Sequence, residues 1–426
     1  MKRSFDLKLL YVLLDGVGDR PNPALGGRTP LQAAHTPGLD SLASKGISGL
    51  VYTVGKGIAP ESDVAVFSML GYTFGNEYPG RGVIEAVGTG TDFRDGDLAL
   101  RANFATVDRD MNIVDRRAGR NLSQEEGKSL AKEVSEGVHL TPSGSSFKFV
   151  HTLSHRAVLA IRVEGKALSS ELTNTDPAYA KMGGMGVAKE KVTEMKPLKC
   201  FALDGSEGAV LGASLVNEFT EKSHEVLEAS AVNRAREKNG FKPANVVLVR
   251  DAGSRLPRLE GISAKYGVSF SIVADMPVEL GIGRLTGMEV RMSKGVFDYA
   301  DKLQKVTELS KAFDVVYLHI KGPDEPGHDG LAMEKARSLE AIDREFFVPL
   351  VASGGLKEVT VAISADHSTP CTLKAHSDDP VPLIIAGEST TSDGTRRFTE
   401  ADASKGSLGV MQGKDVLGLA LRMAKA

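Results

Sequence analysis

Three aspartates in this 426-residue sequence stand where an apolar run ends: Asp15 in LLYVLLDGVGDR, Asp324 in FDVVYLHIKGPDEPGHDG and Asp366 in VTVAISADHSTP. His328 and His367 accompany two of them, and His376 follows in TLKAHSDDPVPLII, just before another apolar run. Taken singly, each aspartate is explained as a turn former, because Asp and Gly both populate turns. Taken together they point to a metal. Carboxylates gathered at one edge repel each other and are costly to remove from water unless cations lie between them. Mixed Asp and His donors suit Zn²⁺, Mn²⁺ or Fe²⁺ better than Ca²⁺, which prefers oxygen alone. His376 by itself would be a loop histidine; in this company it is an additional or outer donor.

A hydroxyl comes from GKGIAPESDVAVFSMLGY, where Pro60, Glu61, Ser62 and Asp63 precede an apolar, helix-compatible stretch. Ser62 is thus an N-cap or first-turn residue. As a cap it would only satisfy a backbone N–H. As a functional group it would sit at a helix N-terminus, where free N–H groups and a positive dipole end receive phosphoryl oxygens. A metal-bound serine oxygen would also supply a nucleophile near neutral pH. The segment alone supports both readings.

These residues need strands that end together. The runs LLYVLL, VVYLHI, VTVAIS and VPLIIA are continuous and apolar, as expected of strands buried on both faces in parallel sheets. Between the second and third, LAMEKARSLEAIDREFFVPLVA has helical spacing and suits a βαβ crossover. In such α/β sheets ligands gather beyond the carboxyl ends of the strands, where the neighbouring glycines permit close approach of the backbone. The middle of the chain differs, with FKFVHTL and RAVLAIRV as half-exposed strands and VNEFTEKSHEVLEASAVNRAREKNG as one long helix. The expected fold is α/β: a doubly wound, mostly parallel sheet core from residues 1–94 and 261–426, interrupted by an inserted α+β domain at 95–260 that covers the substrate. AGESTTSDGTRR reads as a surface loop.

Composition narrows the function. A net charge of -3, with 25% charged and 41% hydrophobic residues, gives no basic excess for nucleic acid or an acidic membrane surface. The two cysteines, Cys200 and Cys371, are too few for a disulfide framework or a thiolate zinc site. MKRSFDLKLLYVLLDG has a short apolar run and no small-residue cleavage pattern, so it reads as the first strand of a cytoplasmic protein. No stretch approaches the roughly 20 apolar residues of a spanning helix. Oligomeric state is not legible.

The strings DGVGDRP, APESDVAVFSMLGY, KGPDEPGHDG, ADHSTP and KAHSDDPVPL, in this order, resemble the cofactor-independent phosphoglycerate mutases of the archaeal type, within the alkaline phosphatase superfamily. The resemblance covers the first 90 or so residues and everything after about Gly261, and is weaker in the insertion. It implies an alkaline-phosphatase-like core and two divalent metal ions, Mn²⁺ foremost with Zn²⁺ or Co²⁺ as alternatives, and no 2,3-bisphosphoglycerate. Asp324, His328 and His376 would hold one ion; Asp15, Ser62, Asp366 and His367 would hold the other. Ser62 would become phosphorylated while the retained glycerate reorients, interconverting 2- and 3-phosphoglycerate in glycolysis and gluconeogenesis.

For the anionic substrate the resemblance offers Arg250, Arg255 and Arg258 in VLVRDAGSRLPR, since arginine forks suit phosphate and carboxylate. Asp176 in NTDPAY resembles an Asp-Pro element that handles the substrate hydroxyl proton, and an Asp-Pro turn explains it equally. The bacterial-type string GGVHSH is absent; RRAGRN, with Arg117 and Arg120, is the candidate for its place. Lys321 is the candidate substrate-binding lysine. The rival readings are a metal-dependent phosphohydrolase on the same site and a catalytically silent metal-binding protein.

Overall fold

LLYVLL forms a strand, β1 (Leu9–Leu14), with every residue buried. The others follow in chain order as β2 (Ile47–Tyr52), β3 (Leu98–Val107), β4 (Ile113–Asp115), β5 (Ser145–His151), β6 (Arg156–Val163), β7 (Tyr179–Met182), β8 (Met185–Ala188), β9 (Val246–Gly253), β10 (Phe270–Ala274), β11 (Glu289–Met292), β12 (Val315–Ile320), β13 (Thr360–Ala365), β14 (Val381–Ala386) and β15 (Gly409–Gln412). The computed structural model describes residues 8–75, 77–182, 185–188, 195–353 and 359–425. The opening MKRSFDL lies outside them. No helix among the described residues is long and apolar enough to cross a membrane.

The chain divides into two units, Met1–Phe74 with Glu260–Asp275 and Ile282–Ala426, and Gly75–Leu259 with Met276–Gly281. The first holds an eight-stranded sheet in the order β11-β10-β12-β1-β13-β14-β2-β15. All of its strands run parallel except β14, which is antiparallel to both β13 and β2. VPLIIA therefore reads as a two-face-buried strand without being a parallel one: burial on both faces, not direction, sets its apolar run. The expected crossover helix is three pieces, Ala332–Ile342, a π-helical turn at Asp343–Phe347 and Val348–Ala352.

In the second unit β4, β3, β6 and β5 form an antiparallel sheet, with β9 also paired to β3. Phe104, Phe149, Leu130, Val134, Leu215 and Phe219 pack between this sheet and the helices Gln124–Gly137 and Glu207–Glu228. The expected long helix is two, because Ser230 stops the first and caps the next: its Oγ accepts from Val232 and Asn233 N–H groups at the start of Ala231–Lys238. The unit begins at Gly75 rather than near residue 95, since the helix Arg81–Gly88 belongs with it.

Candidate active site

Register brings the three aspartates to one level. β1 lies between β12 and β13, with Leu14 opposite both Ile320 and Ala365. Asp15 and Asp366 are then the first residues past aligned strand ends, and Asp324 follows a short turn later. Gly16, at φ +62°, donates its N–H to Asp366 Oδ1 at 3.1 Å. A Cβ there would lie 2.7 Å from both Asp324 Oδ1 and Thr369 Oγ1. The glycine after Asp15 thus lets three loops meet. Asp324 opens the helix Asp324–Asp329, so Asp324 and His328 share a face four residues apart.

Each histidine is fixed through one ring nitrogen. His376 Nδ1 meets the Pro60 carbonyl at 2.7 Å and His328 Nδ1 the Lys374 carbonyl at 3.2 Å, so both Nδ1 atoms carry the proton and donate. Their Nε2 atoms face each other at 3.2 Å, with Asp324 Oδ1 at 3.5 and 3.6 Å. Two imidazole lone pairs pointed together beside a carboxylate call for a cation. His367 follows the same pattern. Thr369 Oγ1 donates to Asp324 Oδ1 at 2.7 Å, so it must accept from His367 Nδ1 at 3.0 Å. That leaves His367 Nε2 facing Ser62 Oγ at 3.1 Å, Asp366 Oδ2 at 3.3 Å and Asp15 Oδ1 at 3.5 Å.

Ser62 is the first residue of the helix Ser62–Met69; the cap position is Glu61, and no side chain caps this end. Its hydroxyl is therefore turned to His367 and not to the helix backbone, which removes the capping explanation.

Electrostatics reinforce the need for a cation. Burial opposes the charge on Asp15, but Lys321, whose Nζ is 3.1 Å from Oδ2, together with His319 and His367 holds the carboxyl well below its ordinary range. Burial, then the charge of Asp15, pushes Asp366 up to about 8. Burial and Asp15 also oppose ionisation of Asp324, yet the His376 and His367 rings keep it low. Asp15 Oδ1 and Asp366 Oδ2 are buried and accept no hydrogen bond among the described residues. Donor atoms of Asp15, Asp366 and His367 lie within 4.8 Å of one another, as do those of Asp324, His367 and His376. The residues fit two adjoining divalent ions, with His367 between the positions.

Several supporting residues were not singled out from sequence. Lys335, buried, bonds the Gly18 carbonyl at 3.0 Å, Asp19 Oδ2 at 3.0 Å and the Thr369 carbonyl at 2.9 Å. It ties the loop bearing Asp15 to the loop bearing His367. Asp19 also accepts from the Cys371 N–H at 3.1 Å. Thr369 orients His367, and its position inside ADHSTP was the available signal. His319 was visible too, as a histidine within an apolar strand.

The second unit places Asp176 and Arg250 together. Asp176 is fully buried, and Arg116 grips both its oxygens, Nε to Oδ1 at 3.0 Å and Nη2 to Oδ2 at 2.7 Å. Arg250, also buried, lies 3.4 Å from Asp176 Oδ2 and stacks over the Tyr179 ring at 4.4 Å. Sequence reading did not single out Arg116, although it is the first residue of the RRAGRN string. Arg255 and Arg258 follow β9 in an exposed segment, and Arg120 is exposed with a φ of 55°. Lys321 stands instead in the first unit, against Asp15.

A 2,3-bisphosphoglycerate-independent phosphoglycerate mutase from Aeropyrum pernix is 42% identical over 420 residues, covering 96% of this chain and 97% of its own. This chain belongs to that family. The family's sequence model, described as 2,3-bisphosphoglycerate-independent phosphoglycerate mutase, matches residues 43–233. A mutase of the same name from Methanopyrus kandleri is 38% identical over 96% of this chain and 94% of its own. Among solved structures, a Pyrococcus horikoshii protein superposes with a TM-score of 0.76 at 31% identity, covering 98% and 97% of the two chains. The cofactor-independent phosphoglycerate mutase of Thermoplasma acidophilum gives 0.62 at 33%, covering 98% and 99%. Like its family, the mutase is an isomerase that interconverts 2- and 3-phosphoglycerate without 2,3-bisphosphoglycerate, and its site carries two groups of donors spaced to hold a metal ion.

Proposed function

We propose that this mutase works through a phosphoserine on Ser62, with Asp324, His328 and His376 holding one ion and Asp15, Ser62, Asp366 and His367 the other. The carrying observation is the Ser62 Oγ to His367 Nε2 contact of 3.1 Å beside two buried carboxylate oxygens that accept no hydrogen bond among the described residues. Mn²⁺ is the proposed metal, with Zn²⁺ and Co²⁺ compatible with the same donors. Bound there, the ions lower the pKa of a coordinated hydroxyl and offset charge on phosphoryl oxygens.

The chain's own residues supply orientation. Lys321 holds Asp15 Oδ2 and so turns Oδ1 toward His367. Thr369 fixes the His367 ring, and Ser62 presents Oγ from the first turn of its helix, where helix N–H groups would receive phosphoryl oxygens. Ser62 Oγ gives up its proton as the Ser62 O–P bond forms and the substrate O–P bond breaks, and the released glycerate oxygen takes a proton. After reorientation the other hydroxyl gives up its proton and takes the phosphoryl group back as the Ser62 O–P bond breaks and Ser62 Oγ regains a proton. Asp176 is the proposed group for that proton, and it acts when the Arg116 fork releases one of its oxygens. Arg120, Arg250, Arg255 and Arg258 bind the substrate's phosphate and carboxylate by charge-assisted forks. We place the reaction in the cytoplasm, consistent with two buried free cysteines.

Brief incubation with phosphoglycerate labelled in its phosphate, followed by acid quench and peptide mapping, tests the reading. Label should appear on the peptide containing Ser62. Label consistently on another residue, or turnover with no labelled protein, overturns it.

A further inference from the structure

In the second unit, the turn just after Arg116 runs against its own backbone preferences. Ala118, Gly119 and Arg120 have φ of 45°, 76° and 55°, three left-handed residues in succession, and the Arg120 N–H closes the turn on the Arg117 carbonyl at 2.8 Å. Glycine takes this conformation freely. In Ala118 and Arg120 the Cβ crowds the following carbonyl oxygen, which is why left-handed residues other than glycine are uncommon and ordinarily occur singly. Such strain persists where surrounding contacts over-determine it, and it gathers at ligand clamps.

The clamping contacts come from Arg236 in the helix Ala231–Lys238, a side chain only 1% exposed. Its Nη2 donates to the Ala118 carbonyl at 3.2 Å, within the turn, and to Asn121 Oδ1 at 2.6 Å, just past it. Nε donates to the Lys242 carbonyl at 3.0 Å, and Nη1 to Glu126 Oε2 at 2.8 Å in the first turn of the helix Gln124–Gly137. The guanidinium is thus anchored on one side and spends the other on the turn. A lysine ammonium also pairs with a glutamate, but a planar fork lets one side chain hold Glu126 and both ends of the turn at once. Arg116, whose fork grips both oxygens of buried Asp176, lies two residues before the first left-handed residue.

We propose that Arg236 is a positioning residue for substrate binding: by holding Ala118–Arg120 left-handed it sets Arg116 against Asp176 and fixes the backbone from which Arg120 extends. It touches no substrate itself. The inference rests on the reading above, in which Asp176 and Arg120 serve the substrate. The Glu126 pair serves packing of the unit, whereas the two Nη2 bonds act on the turn alone.

Steady-state mutase kinetics of full-length variants, each shown by circular dichroism to be folded at the assay temperature, test this. Arg236→Lys should lower kcat/KM by up to about 100-fold, as misplacement of binding groups does. Adding Ala118→Gly should recover at least about 5-fold of that loss, because glycine holds the left-handed turn without a clamp. Wild-type kinetics in Arg236→Lys overturn the proposal. A loss that Ala118→Gly does not relieve overturns it too, since the defect would then lie in packing and not in the turn. Should Arg236→Lys not fold, Asn121→Ala decides: the position is exposed, and the change removes one Nη2 contact while leaving the Glu126 pair. It should lower kcat/KM several-fold, and wild-type kinetics there overturn the proposal. Wild-type kinetics in both Asp176→Asn and Arg120→Ala would instead overturn the substrate reading on which the proposal rests.

Discussion

The two units each bury a cluster of charge and treat it in opposite ways. Around Asp176 in the second unit the carboxylate is matched: Arg116 grips both oxygens, Arg250 stands behind, and Tyr179 shields the guanidinium. Around Asp15, Asp324 and Asp366 in the first unit, Lys321 bonds one oxygen of Asp15, and two carboxylate oxygens accept no hydrogen bond among the described residues. Matched charge is stable before any ligand arrives. Carboxylates left without enough cations are a binding site, because desolvation is offset only when the ion arrives.

The largest effect that bears on this contrast is loss of the nucleophile. Ser62→Ala should lower mutase activity by several orders of magnitude yet leave the fold and the ion of Asp324, His328 and His376 in place. Ser62 makes no capping bond, so circular dichroism and melting should change little; near-normal turnover would show that another group accepts the phosphoryl.

Chelation comes next. EDTA should abolish activity and an added divalent transition metal should restore it, as read by an enolase-coupled assay with elemental analysis. Full activity in protein shown to be metal-free would contradict the account of the first unit.

Smaller effects belong to the arginines. Replacing Arg255 or Arg258 by Ala should raise the apparent KM or lower kcat by roughly 10- to 150-fold, the equivalent of about 1.5 to 3 kcal/mol for a charge-assisted contact. Wild-type kinetics in both variants would remove them from the substrate site.

The contrast itself predicts opposite responses to the same substitution. Asp176→Asn should destabilise the protein by about 3 kcal/mol with or without metal, because it strands Arg116. Asp366→Asn should leave the metal-free protein as stable as before, or more so, since burial and Asp15 both disfavour its charge, while abolishing the metal-induced rise in Tm. Equal responses in the two variants would erase the distinction.

The smallest effect is one of acid. His155, buried in the second unit, is held down to about 3 by burial and then by Arg156, Arg250 and Arg120, with Asp115 opposing. The unfolded chain takes up this proton near pH 6.5 and the folded one only near 3, so stability is present at neutral pH and falls as pH drops. At pH 5 the loss is roughly 2 kcal/mol. Calorimetry at pH 7 and pH 5 should show it in wild type and a smaller decrease in His155→Gln.

Much of the site was legible because residue type and short spacing encode chemistry locally. Asp324 and His328 declare themselves four residues apart, and Asp366 and His367 are adjacent. Ser62 remained ambiguous because the same residue suits a cap or a nucleophile; the turn of its hydroxyl away from the backbone removed the cap. Asp176 was legible as an Asp-Pro element, but Arg116, its partner sixty positions away, was not. His319 was passed over since a single histidine in an apolar run carries no spacing pattern.

By itself, then, the sequence determined which donors this protein owns and that they stand at the ends of buried strands. These properties follow from side-chain chemistry and from the apolar run before each one. Tertiary structure decided which donors meet. The alignment of Leu14 with Ile320 and Ala365, the approach of Ser62 to a histidine 305 positions away, and the convergence of His319 and His367 on the same two carboxylate oxygens all depend on strand pairing across the sheet. No local pattern specifies that pairing, because it is fixed by the packing of the whole sheet.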